Sequence, residues 1–260
     1  MRSLRQALRA LAAVLIAASA AVSSAQAQLT VDGTEFLLVT PEGRTLRSAD
    51  LVGTTLKIQI ERREIDIEIR SVDEDSSAVG GRVLLHRFVA KDATGNSVDV
   101  CTPDAQGRRL GFPVPDGRGG FELTCTSGAV GKCIRWGYRP WEERPGGPPM
   151  RALHRSCIHM VRADYGGDGR PSTRDGTLID IGDRFGIRSF HRDLPMTFEA
   201  AWGVDGAVCV ARPRIAEKGS LEQLAAAYPR LADHLGPDAC TEESAAHDRE
   251  ALVFNRSYSR

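Results

Sequence analysis

Leu56-Lys57-Ile58-Gln59-Ile60 and Ile65-Asp66-Ile67-Glu68-Ile69 decide the fold class. Each run alternates apolar with polar residues, the period of two that gives a strand one buried and one wet face. Working outward, Thr34-Glu35-Phe36-Leu37-Leu38-Val39 leads into the turn Pro41-Glu42-Gly43, and Arg44-Thr45-Leu46 returns. Val83-Leu84-Leu85-His86-Arg87-Phe88-Val89 and Ser97-Val98-Asp99-Val100 flank a turn at Asp92-Ala93-Thr94-Gly95-Asn96. The expectation is a small antiparallel sheet or barrel over about residues 29–100, a platform with no chemistry of its own.

Beyond it the pattern changes. Residues 101–118 hold Pro103, Gly107, Gly111, Pro113, Pro115 and Gly117 and read as a connection rather than a core element. Pro145-Gly146-Gly147-Pro148-Pro149 continues neither helix nor strand. Met150, Leu153, Cys157, Met160 and Val161 share one face of a helix over 150–164. Ser220-Leu221-Glu222-Gln223 carries a capping-box pattern opening a second helix that ends before Gly236-Pro237, with Pro229 expected to kink or split it. The fold class is α+β and strand-rich: the sheet or barrel first, then a disulfide-braced α+β region. The expected division is a leader (1–27), an N-terminal β-rich domain (28–112) and a cysteine-containing domain (113–260).

The leader reading rests on Arg2, Arg5 and Arg9 before an apolar stretch from Ala10 to Val22 and the small-residue site Ala25-Gln26-Ala27. That stretch is about 13 residues, short of the roughly 20 that span a bilayer. Cleavage near Ala27 and a periplasmic or secreted protein follow, with no stable membrane insertion afterwards. Lys+Arg and Asp+Glu both number 34, and removing residues 1–27 leaves 31 basic against 34 acidic residues. A net charge of −3 with scattered arginines gives no electrostatic footprint for nucleic acid. With 42% hydrophobic residues the chain has material for a packed core.

All six cysteines, Cys101, Cys125, Cys133, Cys157, Cys209 and Cys240, lie in the second part. An even count behind an export leader reads as disulfides, and no Cys-x-x-Cys pair suggests zinc. Six cysteines allow 15 pairings. Gly128 and Gly131 let the short loop between Cys125 and Cys133 reverse, so a bond between these two is expected.

Several separated motifs then occur in order. Cys125-Thr126-Ser127-Gly128-Ala129-Val130-Gly131-Lys132-Cys133 precedes Arg135-Trp136-Gly137-Tyr138-Arg139-Pro140-Trp141. Met160-Val161-Arg162-Ala163-Asp164-Tyr165-Gly166-Gly167-Asp168-Gly169 and Phe198-Glu199-Ala200-Ala201-Trp202-Gly203 follow. Together they resemble the bacterial ADYC-domain family, named for an Ala-Asp-Tyr-Cys motif, over most of residues 101–260. The resemblance implies an exported bacterial protein and names no activity. The chain departs from it at Gly166, where the family has Cys, and at Tyr228, where the family has a second Cys before Pro-Arg-Leu. The paired absence implies that the two family cysteines bond each other, and that Tyr228 here packs over Gly166.

Candidate chemistry is sparse. Asp164, Asp168, Asp175, Asp180 and Asp183 lie among glycines; their spacing misses the EF-hand pattern, and tight turns are the ordinary reading against calcium. His154 and His159 are five apart, about 140° around a helix, which suits no shared metal. Ser127 lacks the G-x-S-x-G elbow. Trp136, Tyr138, Arg139 and Trp141 concentrate groups typical of binding hot spots, or a strand packing its rings into the core. Trp136, Arg139, Trp141, Asp164 and Asp168 are the possible ligand-binding residues; no metal and no cofactor is expected. The reading is a non-enzymatic binding or structural module of the cell envelope, with an unidentified envelope or protein partner. The alternative is a hydrolase acting on envelope material, which a deep pocket holding His159 or His191 near Ser127 or an aspartate would favour.

Overall fold

The structure, a computed structural model, describes residues 27–60 and 63–258. The leader reading falls on residues outside this range except for Ala27. Among the described residues three open antiparallel sheets carry the fold, and none of them closes into a barrel. The first holds β1 (Gln28–Asp32), β2 (Glu35–Val39) and β3 (Thr45–Arg47). The second holds β4 (Thr55–Ile60), β5 (Arg63–Glu74), β6 (Leu84–Lys91), β7 (Ser97–Asp99), β8 (Gly111–Pro115) and β9 (Phe121–Cys125). Its path is β4-β5-β6-β8-β9, with β7 also on β6. The alternating runs pair as β4 and β5, Ile58 opposite Ile65 and Leu56 opposite Ile67. Leu56, Ile67, Ile69, Phe36 and Phe88 form the core between the first two sheets, while Lys57 and Glu64 meet in water.

The turn-rich stretch after Cys101 contains a core strand, correcting the expectation of a mere connection. β8 reads Gly-Phe-Pro-Val-Pro, and its first four residues are buried. Thr126 N–H donates to Leu110 O and Asp116 N–H to Gly120 O, two bonded pairs of even register. Phe112–Thr124 and Val114–Glu122 between them are therefore the bonded pairs. Pro113 and Pro115 fall where the missing N–H faces β6, which pairs β8 only through Gly111. β8 also crosses residues 112 and 113, so one sheet runs through that point of the chain.

After β9 come α1 (Ala129–Arg135) and α2 (Met150–Arg162), which pack together. Met150, Leu153, Cys157 and Met160 face the core as the periodicity requires. The third sheet has the order β10 (Ile179–Asp183), β13 (Val253–Ser257), β11 (Thr197–Gly203), β12 (Gly206–Val210), with α2 packed on it. The late helix splits at Pro229: α3 (Leu221–Ala227) opens with the Ser220–Gln223 capping box, and Pro229–His234 continues as a 3-10 helix. α4 (Glu242–His247) follows. No helix among the described residues is long and apolar enough to cross a membrane.

All six cysteines are bonded, as Cys101–Cys125, Cys133–Cys157 and Cys209–Cys240. The expected Cys125–Cys133 bond does not form. Gly131 sits so close under Cys125 that a Cβ there would lie 2.3 Å from the Cys125 carbonyl oxygen. At this tight corner Cys125 ends β9 and turns back to Cys101, whereas Cys133 lies on the face of α1 that meets α2.

Candidate functional site

The Ala163-Asp164-Tyr165-Gly166 segment ends α2. Ala163 is the C-cap, in the left-handed conformation at φ +48°, which turns the chain sharply. Buried Asp164 then folds back: its Oδ2 lies 3.0 Å from His159 Nδ1 and accepts from Gly169 N–H at 2.9 Å. His159 Nε2 in turn lies 3.2 Å from Val204 O.

Tyr165 enters the core, stacked on Trp202 with ring centres 5.2 Å apart. Its hydroxyl accepts from Arg214 N–H at 2.8 Å and reaches Glu199 Oε1 at 3.4 Å. Glu199 and Arg214 form a fully enclosed ion pair at 2.9 Å, their side chains 0% and 1% exposed. Such a pair survives burial only if its remaining donors and acceptors are filled. They are: Ser257 donates to Glu199 at 2.5 Å, and Arg214 donates to Met160 O at 2.7 Å and Val161 O at 2.9 Å. Burial, then the Glu199 charge, pushes the Tyr165 phenol up, so it stays a neutral donor.

Tyr228 lies over Gly166, as the paired absence of cysteines implies. A Cβ on Gly166 would sit 2.2 Å from Tyr228 Cε1 and 2.3 Å from Cζ. The Tyr228 hydroxyl donates to Asp168 Oδ2 at 3.2 Å. Asp168 also pairs with Arg170, whose hydrogen bond pulls the exposed carboxyl down to about 2.

The surface offers a cleft of about 520 Å³ between the β8–β9 hairpin and the first two helices. Val114, Glu122 and Thr124 line one side, Val130, His154 and Ile158 the other. His154 is 8% exposed and its Nε2 has no hydrogen-bond partner. Burial lowers its pKa to about 4, against a smaller opposing effect from a hydrogen bond to the Val130 backbone. At neutral pH the N–H serves Val130, and Nε2 is an enclosed acceptor without a partner, in a residue that lines the cleft.

A family model described as ADYC domain matches residues 48–216. The chain belongs to the ADYC family. No curated protein and no solved structure matches it. The ADYC match begins at Ser48, in the turn between β3 and β4, and ends just past Arg214, so the buried Glu199–Arg214 pair lies within it.

The structure separates the residues singled out in the ADYC sequence. Trp136 ends α1 and Tyr138, Arg139 and Trp141 follow in a loop, correcting the expected strand. Tyr138 donates to Asp183 at 2.8 Å, and buried Arg139 donates to Val79 O at 2.5 Å and Gly81 O at 3.0 Å. Trp141 covers Gly33. Ser127 meets Thr102 at 3.0 Å rather than an imidazole. Asp183 accepts from Phe185, Ile187 and Arg188 N–H, so this one aspartate closes a tight turn. Buried Asp180 holds His191 Nδ1 at 2.7 Å, leaving an imidazole 63% exposed. His159 and His191 thus each have an aspartate, but neither lines the 520 Å³ cleft. Glu199, Arg214 and the cleft position of His154 were missed. A charged pair in otherwise apolar Phe-Glu-Ala-Ala-Trp and Val-Ala-Arg-Pro-Arg strings was the available signal for the first two.

Proposed function

We propose that this ADYC protein is a non-enzymatic binding module of an exported, envelope-associated protein, and that its ligand enters the cleft beside His154. One observation carries this: a ligand-sized cleft lined by a buried histidine whose ring keeps one nitrogen without a partner. The polar groups of the motif region support it from the other side, since Tyr165, Glu199 and Arg214 bond one another and brace the scaffold. Three disulfides suit an oxidising compartment.

The hydrolase reading draws on Asp180–His191, in which a buried carboxylate orients an exposed imidazole as a general base would be oriented. Amide-resolved NMR of the disulfide-intact protein against soluble peptidoglycan fragments, an envelope oligosaccharide and short peptides separates the two. Binding without turnover should shift Glu122, Thr124, Val130 and His154. Hydrolysis of any probe that is lost in His191→Ala would overturn the proposal, as would shifts confined to regions outside the cleft.

A further inference from the structure

We infer that the cleft takes an extended peptide, added as a strand to the open edge of β9. This rests on the cleft being the binding site. Among the described residues β9 pairs only with β8, so its other side is a sheet edge. The bonded pairs with β8 are those of Glu122 and Thr124, as the flanking bonds at Leu110–Thr126 and Asp116–Gly120 establish. The N–H and C=O of Phe121 and Leu123 therefore point away from β8, into the open side. Leu123 lines the same cleft as His154. A row of unpaired main-chain groups beside a cavity is what strand addition uses, with affinity from main-chain bonds and selectivity from alternate side chains.

The lining defines that selectivity. Glu122 and Thr124 project from the same face of β9, two residues apart. Glu122 is exposed and has no ion-pair partner among the described residues, so the residue opposite it on an added strand is basic. The residue opposite Thr124 carries an O–H or N–H donor for the partnerless Nε2 of His154, which a turn of the ring brings from its enclosed position to the cleft. Val130 and Ile158 supply apolar contact beside it.

The probe is the peptide Ac-Val-Thr-Val-Lys-Val-NH2, its central Val opposite Leu123 in an antiparallel addition, titrated into the full disulfide-intact protein by NMR. It should shift Phe121 and Leu123, and N-methylation of the central Val should weaken binding about tenfold or more by removing main-chain bonding. His154→Leu should weaken the peptide about fivefold, and weaken its Val-for-Thr analogue far less. The peptide comparison stands even where a variant does not fold. Equal binding of the N-methylated peptide overturns strand addition. So does silence toward both peptides while an envelope oligosaccharide shifts the cleft, a result that leaves the binding module intact. Silence of the cleft toward every probe removes both.

Discussion

Gly166→Ala tests the packing of the motif turn with a single methyl group. The backbone at Gly166 is not in the left-handed region, so alanine is sterically acceptable to the chain itself. The obstacle is the Tyr228 ring, at 2.2 Å, 2.3 Å and 2.7 Å from the new Cβ through Cε1, Cζ and Oη. Non-bonded carbons rest at about 3.5–4.0 Å, so the ring must retreat by more than 1 Å, roughly, or the turn must open. Retreat stretches the 3.2 Å bond to Asp168, worth about 1 kcal/mol, and overpacking of this kind costs about 1–3 kcal/mol. The expected loss is about 2 kcal/mol. In a Tyr228→Ala background the added methyl meets no ring, and its cost should fall close to zero, a coupling of about 2 kcal/mol between the positions. Urea unfolding of the four disulfide-intact proteins, followed by the fluorescence of buried Trp202, measures it. An equal cost in both backgrounds would refute the assignment of Tyr228 as the obstacle. The paired change Gly166→Cys with Tyr228→Cys should cross-link, with a gain of up to about 4 kcal/mol for a closed loop of about 60 residues.

Removing one charge from the enclosed pair, as in Glu199→Gln, should destabilise by about 3–5 kcal/mol, whereas Tyr165→Phe should cost about 1 kcal/mol; thermal melts rank the two. Burial holds both His86 and His154 down to about 4 from an ordinary 6.5, so the unfolded chain takes up protons first on acidification. Their contribution is complete above pH 6.5 and disappears between 6.5 and 4, about 3 kcal/mol for each at the bottom of the window; urea midpoints that stay constant from pH 7.5 to 4.5 would contradict this. The unreduced, denatured protein should show no titratable thiol, and replacing Cys133 and Cys157 by Ser should cost about 3 kcal/mol by the same unfolding measurement.

Strands β4 and β5 were legible because their core covers one face only. Ile67 and Ile69 are buried while Asp66 and Arg70 stay in water, so the alternation survives in the sequence. β8 was not legible, because its prolines are tolerated through a register that no single strand reveals. The same holds for the disulfides: Cys125 and Cys133 are close along the chain, and only the corner at Gly131 sends their side chains apart. Pro229 marked its break correctly, since the missing N–H acts locally. The cleft arises where the β8–β9 hairpin meets α2, and a non-local meeting leaves no periodic trace. Gly166 and Tyr228 could be linked beforehand because a resemblance supplied a pair of positions, which composition and spacing never do.

The three bridges join the first cysteine to the second, the third to the fourth and the fifth to the sixth. Their covalent rings, 101–125, 133–157 and 209–240, follow one another without overlap. A chain that emerges N-terminus first presents each cysteine's native partner next, before any later thiol can compete. Oxidation in order of appearance therefore arrives at the native connectivity with no exchange step and no call on an isomerase. A circular permutant opened between Cys133 and Cys157 would bring Cys157 out first and Cys133 last. Its oxidation, unlike that of the natural order, would depend on reshuffling.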